Sequence, residues 1–347
     1  MDSKSEKPTA FFYQSHLFRD IIGENPIVLV DVGARGGVAR KWQPLKRSIK
    51  VIGFEPDANE CQRLNKATRK NDVFFPVALF NKKGRINLNL TRKLSCSSIF
   101  EPNYALVERF LDSENYDVTS SIEIPCDTMD GIVETSQITD IDFIKLDAQG
   151  AELQILEEAR NTLSQFCVFG IEIELGFSPL YKDQPLFADV DGLLKEKGFS
   201  LFDIAVPLGR KVRKTTENQS KALKGQVLWT HAVYFRDFLS EKNKPLEDLS
   251  LEKAAKTIAI AELHGFNDFA LELLDFHLNE GIIPDSIYGE IRKMLTIKEK
   301  TSPKIEETTS PETKLYRNIR RDVGEFISVR FPFIYKWLVS IIRPRRG

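Results

Sequence analysis

Between Ile27 and Arg236 the chain alternates short apolar runs rich in Val, Ile and Phe with longer amphipathic stretches. A short apolar run suits a strand buried on both faces, and an amphipathic stretch between two such runs suits the crossover helix that joins parallel strands. The rhythm therefore predicts β-α-β units around a mostly parallel sheet. Strands are expected at residues 27–32, 51–55, 73–77, 142–147, 168–174, 200–205 and 231–235, with helices at 59–70, 151–163 and 188–197. Residues 85–91 and 121–125 read as additional strands. The stretch 207–225 carries Arg210, Lys211, Arg213, Lys214, Lys221 and Lys224 with little that is apolar, so it is expected to be a long loop between the last two strands.

Outside this α/β domain, placed at residues 26–240, four further segments are read. Residues 1–25 form an N-terminal extension without an apolar core of signal-peptide length, which points to a cytoplasmic chain. Over residues 245–297 the apolar positions change to a period of 3.6, as in Leu251, Ala255, Ile258, Ala259 and Leu263, predicting a helical appendage with a third helix after Pro284. Residues 298–313, almost all Lys, Glu, Thr, Ser and Pro, read as a disordered linker. The tail 314–347 holds nine basic and two acidic residues beside Phe331, Phe333, Tyr335, Trp337 and Ile341. That composition suits a basic amphipathic helix at an anionic membrane surface or in a partner groove, or else a terminal helix packed on the body.

Composition narrows the function. With 49 Lys+Arg against 50 Asp+Glu the chain has a formal net charge of -1, which argues against a protein whose whole surface is wrapped in nucleic acid. Cys61, Cys96, Cys126 and Cys167 form no C-x-x-C pair, so neither a zinc ribbon nor a dense disulfide frame is legible. No segment offers eighteen uncharged apolar residues.

Three segments carry chemistry. The first expected strand runs through Asp31 into Gly33, Ala34, Arg35, Gly36 and Gly37, a turn where missing Cβ atoms let backbone approach a ligand. Arg35 stands where a dinucleotide fingerprint has its second glycine, and no phosphate-loop Lys-Ser/Thr pair is present, so pyrophosphate is disfavoured. Glu55 ends the second strand, where a carboxylate accepts hydrogen bonds from a ribose diol or caps the following helix. The two elements together fit a ribose-bearing ligand without pyrophosphate, such as S-adenosylmethionine. The third segment passes from Asp147 through Gln149 and Gly150 to Glu152, and Glu172 and Glu174 end the next strand on one face, either functional or spent in salt bridges.

The phrases Val30-Asp31-Val32-Gly33-Ala34, Gly53-Phe54-Glu55-Pro56, Pro76-Val77-Ala78-Leu79 and Asp142-Phe143-Ile144-Lys145-Leu146-Asp147-x-Gln149-Gly150-Ala151-Glu152 resemble the FkbM family of S-adenosylmethionine-dependent methyltransferases over residues 26–236. The resemblance implies a class I, Rossmann-like methyltransferase fold. It implies that Asp31, Gly33 and the turn through Ala34 and Gly36 hold the methionine moiety, that Glu55 holds the ribose and that Ala78 lies by the adenine. It further implies O-methylation of a sugar or secondary-metabolite hydroxyl. One departure stands out: Arg35-Gly36-Gly37-Val38 replaces the commoner Asn-x-Gly, leaving Arg35 to face the cofactor carboxylate or the substrate.

Methyl transfer is an in-line displacement governed by position, with a base assisting loss of the acceptor's proton. Asp147, Glu152, Glu174 and His231 are the candidate bases. His231 is also open to a purely structural role, and His16, His264 and His277 fall outside the expected site. Metal dependence stays unassigned, although Asp147 with Glu152 or Glu174 has the oxygen ligands that Mg²⁺ uses. The expected partners are a small-molecule or glycan acceptor, anionic if the cationic loop meets it, and an anionic membrane surface at the inner membrane face or a protein through the tail; a homo-oligomer stays open. A catalytically silent nucleoside-binding module used for assembly or docking is the alternative reading, and a nicotinamide-dependent oxidoreductase is disfavoured by the broken fingerprint.

Overall fold

Strand β1 (Ile27–Val32) is buried at every position, as a central strand covered on both faces must be. Its side chains alternate between two cores: Leu29 joins Phe143, Phe169 and Phe235 on one face, and Val28 and Val30 join Ile144, Ile171 and Tyr234 on the other. The computed structural model describes residues 11–67, 71–205, 208–214, 224–240 and 249–296. The expected linker 298–313 and basic tail 314–347 lie outside the described residues, as do residues 1–10.

Following β1 come β2 (Ile49–Phe54), helix α2 (Ala58–Ala67, after α1 at His16–Ile22) and β3 (Val73–Phe75). A separate three-stranded sheet contains β4 (Ala78–Leu79), β5 (Gly84–Thr91) and β6 (Val118–Asp127), with the short helix α3 (Tyr104–Val107) between β5 and β6. The chain then returns through α4 (Met129–Thr135) to β7 (Phe143–Leu146), α5 (Glu152–Glu157), α6 (Arg160–Gln165), β8 (Gly170–Gly176), α7 (Phe187–Glu196), β9 (Phe199–Ile204), β10 (Gly209–Lys211) and β11 (Gln226–Arg236). The large sheet has the order β10-β11-β8-β7-β1-β2-β3, with β9 also paired to β11. Strands β1, β2, β3, β7 and β8 run parallel to one another, and β11 runs antiparallel to β8. This is the mostly parallel α/β architecture that the alternation along the sequence predicts. The strand order reverses direction between β1 and β7, so a crevice opens beyond their carboxyl ends, where open α/β sheets bind ligands.

Three helices close one face of that sheet. Helices α8 (Leu251–Leu263), α9 (Asn267–Asn279) and α10 (Asp285–Thr296) contribute Ala255, Ile258, Leu273 and Ile291 to the core that holds Leu29 and Phe143. The segment expected as an appendage therefore shares a core with the strands, and each fully buried Leu or Phe there contributes about 1.5–3 kcal/mol. Two charged contacts fix its placement. Lys256 of α8 reaches both Asp140 and Asp142 at 3.0 Å, and Lys253 reaches the same pair at 2.7 Å. Glu262 accepts hydrogen bonds from the backbone N–H groups of Phe12 and Tyr13 at 3.1 and 3.0 Å, which ties the chain's beginning to α8.

Two expectations are corrected. The single helix at 151–163 is broken into α5 and α6, because Asp130 of α4 captures the N–H groups of Asn161 and Thr162 at 2.9 and 2.8 Å and restarts the helix from a tertiary cap. The expected loop 207–225 contains β10, which pairs with β11, and β11 itself begins at Gln226, five residues before the expected start, so that His231 is mid-strand.

Candidate functional site

The carboxyl end of β1 is locked to that of β7 by Lys145. Its Nζ lies 3.2 Å from Asp31 Oδ1 and 3.7 Å from Asp147 Oδ2, and donates to the carbonyl of Gly33 at 3.2 Å. Burial pushes the Asp31 carboxyl up to about 6 against the pull of Lys145. Gly33 sits at φ +75° with its Cα turned toward β7, and a Cβ there would lie 2.1 Å from the Asp147 carbonyl oxygen, so only glycine lets the two strand ends approach.

The glycine turn is closed on itself. The N–H groups of Gly33 and Ala34 both donate to the Phe54 carbonyl at 3.1 and 3.0 Å, Gly37 N–H donates to Ala34, and Gly36 N–H donates to Glu60 Oε1 at 2.9 Å. A phosphate-binding turn presents such groups to an anion. Here they are engaged, and the carboxylate of Glu60, held down to about 2 by Arg63 and the Gly36 N–H, stands beside the turn. The expectation against pyrophosphate thus gains a structural cause.

Glu55, 3% exposed at the tip of β2, is the best-buried acid on this side. Its Oε1 accepts from Asp57 N–H at 2.9 Å and lies 3.5 Å from Arg35 Nη2, which also contacts Asp57 Oδ2 at 2.8 Å. Burial raises the Glu55 carboxyl above its ordinary range, with the Asp57 N–H and Arg35 opposing it. Ala78 opens β4, three residues beyond Phe75, whose carbonyl accepts the Glu55 N–H at 3.1 Å.

Across the crevice, Gln149 holds the acids in place. It adopts φ +52°, unusual for a residue with a side chain, and its Nε2 donates to Asp147 Oδ1 at 2.8 Å and to Glu174 Oε1 at 2.7 Å. The Tyr181 hydroxyl donates to Gln149 Oε1 at 3.1 Å, and Ser98 Oγ donates to its carbonyl at 2.7 Å. His231 Nε2 lies 3.4 Å from Glu174 Oε2, directly across the β8–β11 register. Burial, then the charges of Asp147 and Glu152, push the Glu174 carboxyl up to about 8. Asp147, Glu174 and His231 are therefore gathered around one amide.

Other candidates serve differently. Each oxygen of Glu152 accepts from the loop's own backbone, from Ala148 N–H at 2.8 Å and Gly150 N–H at 2.9 Å, so the buried carboxylate braces the turn. Burial pushes its carboxyl up to about 7. Glu172 is paired with Lys41, which together with its neighbours holds the carboxyl below its ordinary range despite burial. In the basic segment, Lys211 is 7% exposed, paired with Asp112 and set 5.0 Å from the Tyr116 ring, so it is not the free cation expected of a surface loop. Among the described residues no group of three or more His, Cys, Asp and Glu side chains is placed to hold a metal. Of the acids named for Mg²⁺ beside Asp147, Glu152 is turned to the loop's backbone N–H groups and Glu174 shares the Gln149 amide with Asp147. Lys145 and Gln149 stood inside the recognised phrases without an assigned role, and Lys41, Asp57, Ser98 and Tyr181 reach the site from positions that no spacing marks.

Residues 31–201 match the family model described as the methyltransferase FkbM domain. No curated protein is detectably similar in sequence. Among solved structures, magnesium protoporphyrin IX methyltransferase from Synechocystis PCC 6803, with bound S-adenosylmethionine, is 11% identical, covers 64% of this chain and 76% of its own, and gives a TM-score of 0.32. TrmK of M. capricolum, in complex with S-adenosylhomocysteine, is also 11% identical, with 88% and 98% covered and a TM-score of 0.28. The 1,6-didemethyltoxoflavin-N1-methyltransferase of Burkholderia thailandensis, bound to 1,6-didemethyltoxoflavin and S-adenosylhomocysteine, is 12% identical, with 64% and 76% covered and a TM-score of 0.28. Likenesses this remote transfer no substrate to the chain. Among the described residues no helix is long and apolar enough to cross a membrane.

Proposed function

We propose, from the premise that residues 31–201 are a methyltransferase FkbM domain, that the chain transfers the methyl group of S-adenosylmethionine to a hydroxyl oxygen of a small acceptor, a sugar or secondary-metabolite alcohol. The observation that carries the cofactor is the buried Glu55 carboxylate beside a turn whose glycine N–H groups are already engaged. An acid there suits a ribose diol, and a turn whose Gly33, Ala34, Gly36 and Gly37 N–H groups are engaged suits a nucleoside lacking pyrophosphate. The residues fit the group: Gly33 lets the ends of β1 and β7 close together at the crevice, and Asp31 and Asp147, two acids against the single cation Lys145, lend a net negative charge suited to a cationic ligand. When bound, S-adenosylmethionine supplies an electrophilic methyl on a sulfonium.

The chain's own residues do the rest by position and proton handling. Glu55 orients the nucleoside, Lys145 fixes the strand ends, and Gln149 aims Glu174 and Asp147 into the crevice. With the cofactor bound there, the methyl would pass to the acceptor oxygen and S-adenosylhomocysteine leave with the methyl–sulfur bonding pair, while the Glu174–His231 pair takes up the acceptor's hydroxyl proton, a contribution of about 10²–10⁴ in rate for a well-placed base. Calorimetry with S-adenosylhomocysteine tests the reading. Glu55→Ala removes an acceptor of charge-assisted hydrogen bonds worth about 1.5–3 kcal/mol each, so affinity should fall at least about tenfold. Equal affinity in wild type and variant overturns the assignment. Labelled cofactor offered with glycan and small-alcohol extracts then identifies the acceptor.

A further inference from the structure

Arg35 breaks the glycine pattern of the turn, yet its guanidinium does not point into empty solvent. Nη2 bridges two acids of the following strand end, Asp57 Oδ2 at 2.8 Å and Glu55 Oε1 at 3.5 Å. The side chain of Glu55 is 4% exposed and that of Arg35 is 42% exposed, so the cation forms an outer cover over a buried carboxylate. The turn is fastened to the same helix entry a second time through Gly36 N–H and Glu60, whose carboxylate is in turn gripped by Arg63 at 2.7 Å. Arg35 is thus held over Glu55 by a doubly anchored turn.

We propose that Arg35 is a positioning residue for the cofactor's ribose, acting through Glu55: bridged to Asp57, it keeps the buried Glu55 carboxylate ionised and directed so that it can accept the ribose hydroxyls. This inference rests on the reading of the site as an S-adenosylmethionine site and adds a charge requirement to it. A buried carboxyl without a cation becomes protonated, and a carboxylic acid has lost much of its strength as an acceptor. The charged and titratable groups facing Glu55 are Arg35 from the turn, and Asp57, Glu60 and Cys61 from the entry and first turn of α2. Only Arg35 among them is a cation. Asp57 and Glu60 push Glu55 toward protonation, so removing Arg35 leaves the Asp57 N–H, and no cation among these groups, to oppose burial.

The test is calorimetric titration of the full chain with S-adenosylhomocysteine between pH 5.5 and 8.5, using wild type, Arg35→Met, Arg35→Gln and Arg35→Lys. The sign follows from linkage. Binding needs ionised Glu55, and loss of Arg35 raises its pKa, so affinity is lost at a higher pH as the solution is acidified. Each unit of that rise gives about a tenfold weaker affinity on the acid side and no change well above the midpoint. Weakening of both neutral variants confined to the acid side, with recovery in Arg35→Lys, supports the inference. A loss of the same factor at every pH, or no loss, overturns it while leaving the cofactor reading intact. Absence of binding by the wild type overturns both.

Discussion

Replacing Gly33 by Ala perturbs the one point where two strand ends touch through a missing side chain. Gly33 has φ +75°, and a left-handed conformation costs an ordinary residue roughly 1–2 kcal/mol. The added methyl would also lie 2.1 Å from the Asp147 carbonyl oxygen, a backbone atom that no side-chain rotation can move. Relief requires the ends of β1 and β7 to separate, which stretches the hydrogen bond from Asp147 N–H to the Val32 carbonyl, now 3.2 Å, whose net worth is about 0.5–1.5 kcal/mol. The sum is about 1.5–3.5 kcal/mol of stability. Gly36→Ala is the internal control: its φ is +83°, but no atom lies within 4 Å of the new methyl, so only the conformational cost of roughly 1–2 kcal/mol applies. Urea unfolding of both variants, with S-adenosylhomocysteine calorimetry on each, reads the difference. Gly33→Ala should be the less stable and should lose binding, whereas Gly36→Ala should retain it. Equal destabilisation of the two, or undiminished binding by Gly33→Ala, refutes the close-approach argument.

Stability should fall as pH rises from about 6.5 to 8, because burial raises the carboxyls of Asp31, Glu152, Glu174 and Glu262 to about 6, 7, 8 and 7, whereas below that window the buried His264 and His277, lowered to about 4, oppose the trend. The native state holds protons in that window that the unfolded chain has already released, so unfolding gains favour with each step upward. Thermal midpoints at about pH 6.5 and 8 check the slope, which Glu262→Gln should flatten, and a rise in stability toward pH 8 contradicts it. The acids held low, Asp57 and Glu172 among them, act in the opposite sense and at lower pH, lending stability that is lost as pH falls below the ordinary carboxylate range. Lys256→Met should cost about 2 kcal/mol in urea unfolding, less than the ~3–5 kcal/mol of an abandoned buried charge, because Lys253 still pairs with both acids. A change below about 0.5 kcal/mol would show that Lys253 alone suffices.

Much of the architecture was legible along the chain. Residues 27–32 form β1 at the expected bounds, since an apolar run ending in glycine leaves little freedom, and Gly33 and Glu55 fall at strand tips because strand length and turn chemistry are local properties. The C-terminal helices likewise follow from a period of 3.6. What those helices cover was not legible: periodicity names an apolar face but not its partner, and only the folded chain lays Ile258 and Leu273 against Leu29 and Phe143.

The same divide runs through the acids of the crevice. Sequence by itself placed Glu152, Glu172 and Glu174 near one sheet edge. Tertiary structure assigned Glu152 to two backbone amides, Glu172 to Lys41, and Glu174 to Gln149 and His231, just as it drew Lys211 out of an expected surface loop and onto Asp112. A carboxylate's role depends on which donor or cation lies within about 3 Å of it and how much water is excluded, and both are set by residues distant in the chain. Local pattern determined where the charges stand along the strands; long-range packing decided which of them remain to do chemistry.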